Sequence, residues 1–135
     1  YQSDIEGGLG VGANEAVLTT AHVDYKHSSG LGLRALYAGW KMDRDLGTDG
    51  KSSDGYYIEP AYRFKAGNGE MGVFARYEDM DRSAGAALLE EERWVAGVNY
   101  WPHPRVVFKL DFQTIEDADA NTSTNTLSLG VGYQF

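Results

Sequence analysis

Residues 124–135 read TNTLSLGVGYQF, and the two parities of this stretch differ in character throughout. Leu127, Leu129, Val131, Tyr133 and Phe135 share one parity, and Thr126, Ser128, Gly130, Gly132 and Gln134 share the other. Successive side chains of a β-strand point to opposite faces. Period two therefore predicts a strand with one large apolar face and one small or polar face.

The same alternation recurs upstream. In 105–113 (RVVFKLDFQ), Val106, Phe108, Leu110 and Phe112 oppose Val107, Lys109, Asp111 and Gln113. In 92–101, Trp94, Ala96, Val98 and Tyr100 oppose Arg93, Val95, Gly97 and Asn99. In 70–80, Met71, Val73, Ala75 and Tyr77 oppose Gly72, Phe74, Arg76 and Glu78. In 56–64, Tyr56, Ile58, Pro60, Tyr62 and Phe64 oppose Tyr57, Glu59, Ala61 and Arg63. Residues 31–40 and 16–26 follow the rule, and 4–11 offers a weaker, glycine-rich eighth strand. Pro60 removes a ladder donor in mid-strand, which predicts a local bulge or a weakly paired position.

Two kinds of connection separate these strands. Residues 27–30, 65–69 and 102–104 (Pro-His-Pro) are short, whereas 42–55, 79–91 and 114–123 are long and acidic. Short turns on one rim, long loops on the other, and strands of about nine to eleven residues with aromatic ends are the marks of a transmembrane barrel. The fold expected is all-β: an antiparallel up-and-down transmembrane β-barrel with seven to eight strands, forming one domain over residues 1–135. A soluble lipocalin-like barrel would reverse the faces and put the apolar parity inside.

Composition agrees. The 135 residues include 17 glycines and nine tyrosines but no cysteine, so neither a disulfide framework nor a thiolate metal site is available. No run approaches the roughly 20 apolar residues of a transmembrane helix, a test to which alternating strands are invisible. A net charge of −8 argues against nucleic acid as a partner. No signal peptide precedes Tyr1, which fits a mature or a shortened form.

Face assignment also distributes the charge. Lys26, Arg34, Arg63, Arg76, Arg93 and Lys109 fall on the inward parity with Asp24, Glu59, Glu78 and Asp111. The wall is then mixed and slightly cationic, and the acidity belongs to loops and termini. Such a wall is either a structural ion-pair network filling a narrow barrel or the lining of a water-filled pore. The pore-lining candidates are Lys26, Arg34, Glu59, Arg63, Arg76, Glu78, Arg93, Lys109 and Asp111.

Other constellations are weaker. Asp43, Asp45, Asp49 and Asp54 stand at positions 1, 3, 7 and 12 of DRDLGTDGKSSD, an echo of a calcium loop, but Thr48 replaces the glycine at position 6. A loose Ca²⁺ site competes there with a solvated acidic loop beneath lipopolysaccharide headgroups. Glu90-Glu91-Glu92 and 116–119 read as solvated loop charge. His22 beside Asp24 and Thr20 reads as a polar interior histidine rather than an acid–base centre. His27, Ser28 and Ser29 share one short turn, where no oriented triad forms. The GxGxG of Gly8, Gly10 and Gly12 has no helix after it to bind a phosphate. No enzyme activity and no cofactor are expected.

Four segments, GYYIEPAYRF (55–64), EMGVFARYEDMD (70–81), RWVAGVNYWPHPRVVFKLDFQ (93–113) and LSLGVGYQF (127–135), resemble the C-terminal portion of the phosphate-selective porins, the porin O and P family. Residues 97–113, a strand, a proline turn and a strand, are the most specific piece. The likeness runs over roughly 16–135 and implies the later strands of a barrel with about twice as many. It further implies a homotrimeric, water-filled channel in the outer membrane of a Gram-negative bacterium, among lipid and lipopolysaccharide. Such a channel admits small hydrophilic solutes, in some members anions such as phosphate. Arg34, Arg63, Arg76, Arg93 and Lys109 match the cationic ladder of the anion-selective members, although Asp24, Glu59, Glu78 and Asp111 interleave with them. The function expected is passive diffusion through a porin. The alternative is a small closed eight-stranded outer-membrane barrel with a structural or adhesion role through its acidic extracellular loops.

Overall fold

The computed structural model describes residues 2–3, 13–44, 51–84, 87–117 and 122–135. Its strands are β1 (Gln2–Ser3), β2 (Ala13–Lys26), β3 (Leu31–Arg44), β4 (Lys51–Ala66), β5 (Gly69–Ala84), β6 (Ala87–His103), β7 (Val106–Asp117) and β8 (Thr122–Tyr133). Each pairs antiparallel with the next in chain order, giving one up-and-down sheet. All seven strands of strong alternation are present. The weaker strand at 4–11 lies outside the described residues, and β1 pairs through Gln2 with Val17 and Ser3 with Ala16. Among the described residues β1 and β8 are not hydrogen-bonded neighbours. No described helix is long and apolar enough to cross a membrane, a criterion that does not bear on strands.

The strands are longer than their alternation announces, from 12 residues in β7 and β8 to 17 in β6. The connections expected to be long are therefore mostly paired strand. β5 and β6 stay in register out to Ala84 opposite Ala87, and β3 and β4 out to Met42 opposite Lys51. Glu90, Glu91 and Glu92 lie within β6, not in a loop. In these extensions charged residues stand on both parities, as with Asp81 and Arg82 or Glu90 and Glu91, so the ladder continues while the hydrophobic period fades. The proline turn shifts as well. Pro102 and His103 still belong to β6, the register breaks between Tyr100 and His103, and the turn falls at Pro104 and Arg105.

Pro60 does not cause a bulge. Ile58 pairs with Tyr77 and Ala61 with Phe74, so the β4–β5 register is the same on both sides of an unpaired step at Glu59 and Pro60. On the β3 side the ladder is unbroken, with Leu33 opposite Pro60. A proline that cannot donate toward one neighbour can still sit in register with the other. At the tight end, Gly30 adopts φ +93°, and a Cβ there would strike the Arg63 carbonyl oxygen. Glycine alone permits that turn, and Arg63 N–H donates to the Gly30 carbonyl at 2.9 Å.

The two faces separate as the alternation predicts. Exposed large apolar side chains include Val23, Tyr25, Tyr37, Tyr56, Ile58, Tyr62, Phe64, Trp94, Phe108, Leu110, Leu129 and Val131, all on the parity opposite the charged set. Among the described residues no large side chain is fully buried. The sheet therefore has no hydrophobic core of the soluble kind. It curls: one cavity is lined by Lys26 of β2 and by Lys109 and Asp111 of β7. Five strand spacings of about 4.8 Å separate those residues in a flat sheet.

Candidate functional site

The charged parity converges on the concave face, and its side chains are joined rather than scattered. Asp24 of β2 lies 3.6 Å from Lys26 Nζ and 4.0 Å from Arg34 Nε. Arg34 Nη1 donates to Glu59 Oε1 at 3.4 Å, across the β3–β4 pair. On the other side of Glu59, Arg76 donates to Oε2 from Nε at 2.8 Å, with Nη2 at 2.7 Å. Arg76 Nη1 also donates to Glu78 Oε1 at 2.9 Å, and Glu78 Oε2 lies 3.4 Å from Arg93 Nη1. Arg93 Nη2 donates to Glu91 Oε1 at 2.7 Å. The result is an alternating ladder from β2 to β6: Lys26, Asp24, Arg34, Glu59, Arg76, Glu78, Arg93, Glu91.

Glu59 is its centre and the one buried charged residue among those described, 6 % exposed. Such a carboxylate is stable only when paired and hydrogen-bonded. Its position explains the rest. Arg34 is directly opposite Glu59 on β3, and Arg76 occupies the step of β5 where the Pro60 interruption removes the backbone pairing. A side-chain bridge thus spans the gap in the ladder. Arg76 also places its guanidinium 4.8 Å from the Tyr57 ring centroid.

A second cluster lies toward the tight turns. Arg63 is ion-paired with Glu70, and its guanidinium stands 4.3 Å from the Trp101 ring centroid. Trp101 covers Gly72, and Phe74 covers Gly97, where a Cβ would collide with the ring. These aromatic groups narrow the concave face without closing it. The cavity that remains measures about 700 Å³, with Lys26, Arg34, Glu59, Arg63, Arg76, Lys109 and Asp111 in its wall.

Of the candidate lining residues, Lys26, Arg34, Glu59, Arg76, Glu78 and Arg93 join one network. Arg63 forms a separate pair. Lys109 and Asp111 face the cavity from β7, and among the described residues neither makes an ion pair. Glu70 and Glu91 are additions. Glu70 shares the inward parity of Glu78, so its direction is readable from spacing. Glu91 was concealed by its run of three acids, which reads as loop. With both included, the ion-paired groups are Lys26, Arg34, Arg63, Arg76 and Arg93 against Asp24, Glu59, Glu70, Glu78 and Glu91. Charge in these contacts balances, in place of the slight cationic excess expected.

The remaining candidates are described only in part. Asp43 falls in β3 and Asp54 in β4, while Asp45 and Asp49 lie outside the described residues. Among the described residues no group of three or more His, Asp or Glu side chains is placed to hold a metal ion. His27 Nδ1 accepts from Ser29 N–H at 3.2 Å and lies 2.9 Å from Ser29 Oγ, a bond internal to the turn. His103 Nδ1 accepts from Arg105 N–H at 3.2 Å in the same local way. No protein-family model matches the sequence, and no curated protein matches it.

Proposed function

We propose that this chain forms the wall of an outer-membrane porin-like channel through which small hydrophilic solutes diffuse passively. The observation that carries the reading is the segregation of the faces, with an ionic ladder and a cavity on the concave side and exposed apolar side chains on the other. An apolar surface spread over seven strands far exceeds what a monomer leaves in water. Lipid is the solvent that suits it. Tyr77 packs between Tyr56 and Trp94 toward the longer connections, at centroid distances of 6.0 and 4.7 Å. Tyr62 and Phe64 stack at 5.7 Å, and Tyr133 meets Phe135 at 6.2 Å, toward the tight turns. From Tyr56 to Phe64 the strand path covers roughly 27 Å, and tilt brings this near the height of a barrel's apolar band.

The resemblance of 97–113 to the phosphate-selective porins belongs to this reading, and a homotrimer goes with it. The balanced ladder argues for weak ionic preference, because most arginines already hold a carboxylate. A second reading, a closed structural barrel, is favoured by the continuity of that ladder and by the aromatic rings packed over Gly72 and Gly97. Reconstitution into planar bilayers separates them. Stepwise conductance is expected of the channel, and insertion without conductance favours the structural barrel. A chain that stays folded and monodisperse without amphiphile overturns both. Replacing Arg76 and Arg93 together by glutamate should move the reversal potential under a salt gradient toward cations. An unchanged potential would remove both from the solute path.

A further inference from the structure

Among the described residues, β2, β5, β6 and β7 each carry on the concave face a cation and an acid two positions apart. Side chains at that spacing leave the strand on one side, about 7 Å apart, and can meet. On three strands they do: Asp24 with Lys26 at 3.6 Å, Arg76 with Glu78 at 2.9 Å and Glu91 with Arg93 at 2.7 Å. The fourth combination, Lys109 with Asp111, is open. Among the described residues neither of its members has an ionic partner elsewhere.

The neighbouring strands explain why no other charge reaches them. Lys109 stands between Asn99 of β6 and Gly130 of β8, and Asp111 between Gly97 of β6 and Ser128 of β8. None of these four is charged. A Cβ at Gly130 would meet nothing nearer than the Lys109 Cβ at 3.8 Å, so there is open space beside the lysine. At Gly97 a Cβ would meet both the Phe74 ring and the Asp111 Cβ, which sets an aromatic group next to the carboxylate arm. Lys109, Asp111, Asn99 and Phe74 all line the cavity of about 700 Å³. On all four strands the cation is nearer the tight turns and the acid nearer the longer connections, so their dipoles point the same way along the wall.

A lone anion or a lone cation would satisfy one member of the open combination and be repelled by the other. A molecule carrying both charges satisfies the two together and adds no net charge to the cavity. We propose that Lys109 and Asp111 form a site for a small zwitterion, an α-amino acid. Its carboxylate binds Lys109 and the Asn99 amide, and its ammonium lies between Asp111 and the Phe74 ring. Charge-assisted hydrogen bonds orient it, and the ring face attracts its cationic end. This names a solute class for the channel and rests on that reading only for how the solute arrives.

Glycine and its uncharged isomer glycolamide have the same atoms and nearly the same size, so comparing them isolates the charges. Saturation-transfer NMR on the full chain folded in detergent micelles, with empty micelles subtracted, should show contact with glycine about threefold stronger than with glycolamide, the size exposed ion pairs support. Lys109→Met and Asp111→Asn should each remove that preference, and Lys109→Arg should keep it. Circular dichroism verifies that each variant is folded. Equal contact of the two solutes with the parent chain overturns the site, as does a glycine preference that survives in both neutral variants. Swelling of proteoliposomes in each isotonic solute, corrected for protein-free liposomes, keeps the two ideas apart. Glycine preference in micelles without swelling in either solute sinks the channel and leaves the site. Swelling in both solutes without glycine preference in micelles sinks the site and leaves the channel.

Discussion

Glu59 shows how one residue concentrates the chemistry of this sheet. Its carboxylate sits among three strands, nearly without solvent, and accepts from Arg34 and Arg76. Removing one member of a buried pair leaves the partners uncompensated. Because both arginines keep some solvent, the cost of Glu59→Ala falls below the fully buried limit, at about 1–3 kcal/mol. Asp24→Ala touches half-exposed groups, and its effect should stay within about 0.5 kcal/mol. Urea unfolding of both variants in the same micelles measures the difference, and equal effects would deny Glu59 its central role. That Glu59 points inward was legible from its place between Ile58 and Pro60. Its burial was not, because burial depends on arginines contributed by two other strands.

At the scale of the element, β4 and β5 illustrate what alternation reports and where it stops. Period two in hydrophobicity marks only the part of a strand that separates two unlike environments. Lys51–Ala66 and Gly69–Ala84 both run past that part into segments polar on each face, where pairing persists without a pattern. The unpaired step at Pro60 is a local property that the sequence announced, while the unbroken register around it required the neighbouring strands. Pro60→Val should restore an N–H to the β4–β5 ladder and stabilise the sheet by about 0.5–1.5 kcal/mol. Hydrogen exchange should then show a protected amide at position 60. A fast-exchanging amide there would mean that something other than the missing donor separates the strands.

For the whole molecule, the environment on each side of the sheet decides the consequence of a charge. Leu129 is 81 % exposed on the apolar side of β8, and Ser128 faces the ladder side. In lipid vesicles Leu129→Arg should cost about 2–4 kcal/mol of unfolding free energy, as for a cation on a lipid face near the bilayer centre. Ser128→Arg should cost much less, and similar small effects of the two would argue against lipid on the outer side. The seven alternating strands and the chemical character of each face were determined by the sequence, because side-chain direction follows from a period of two, whereas where each strand ends was not. Which acid meets which arginine was decided only by the tertiary structure, together with the balance of charge in the ladder. The physical reason is range. Alternation acts between adjacent residues of one strand, as in 124–135, whereas the ladder depends on registers and curvature set by the other strands of the sheet.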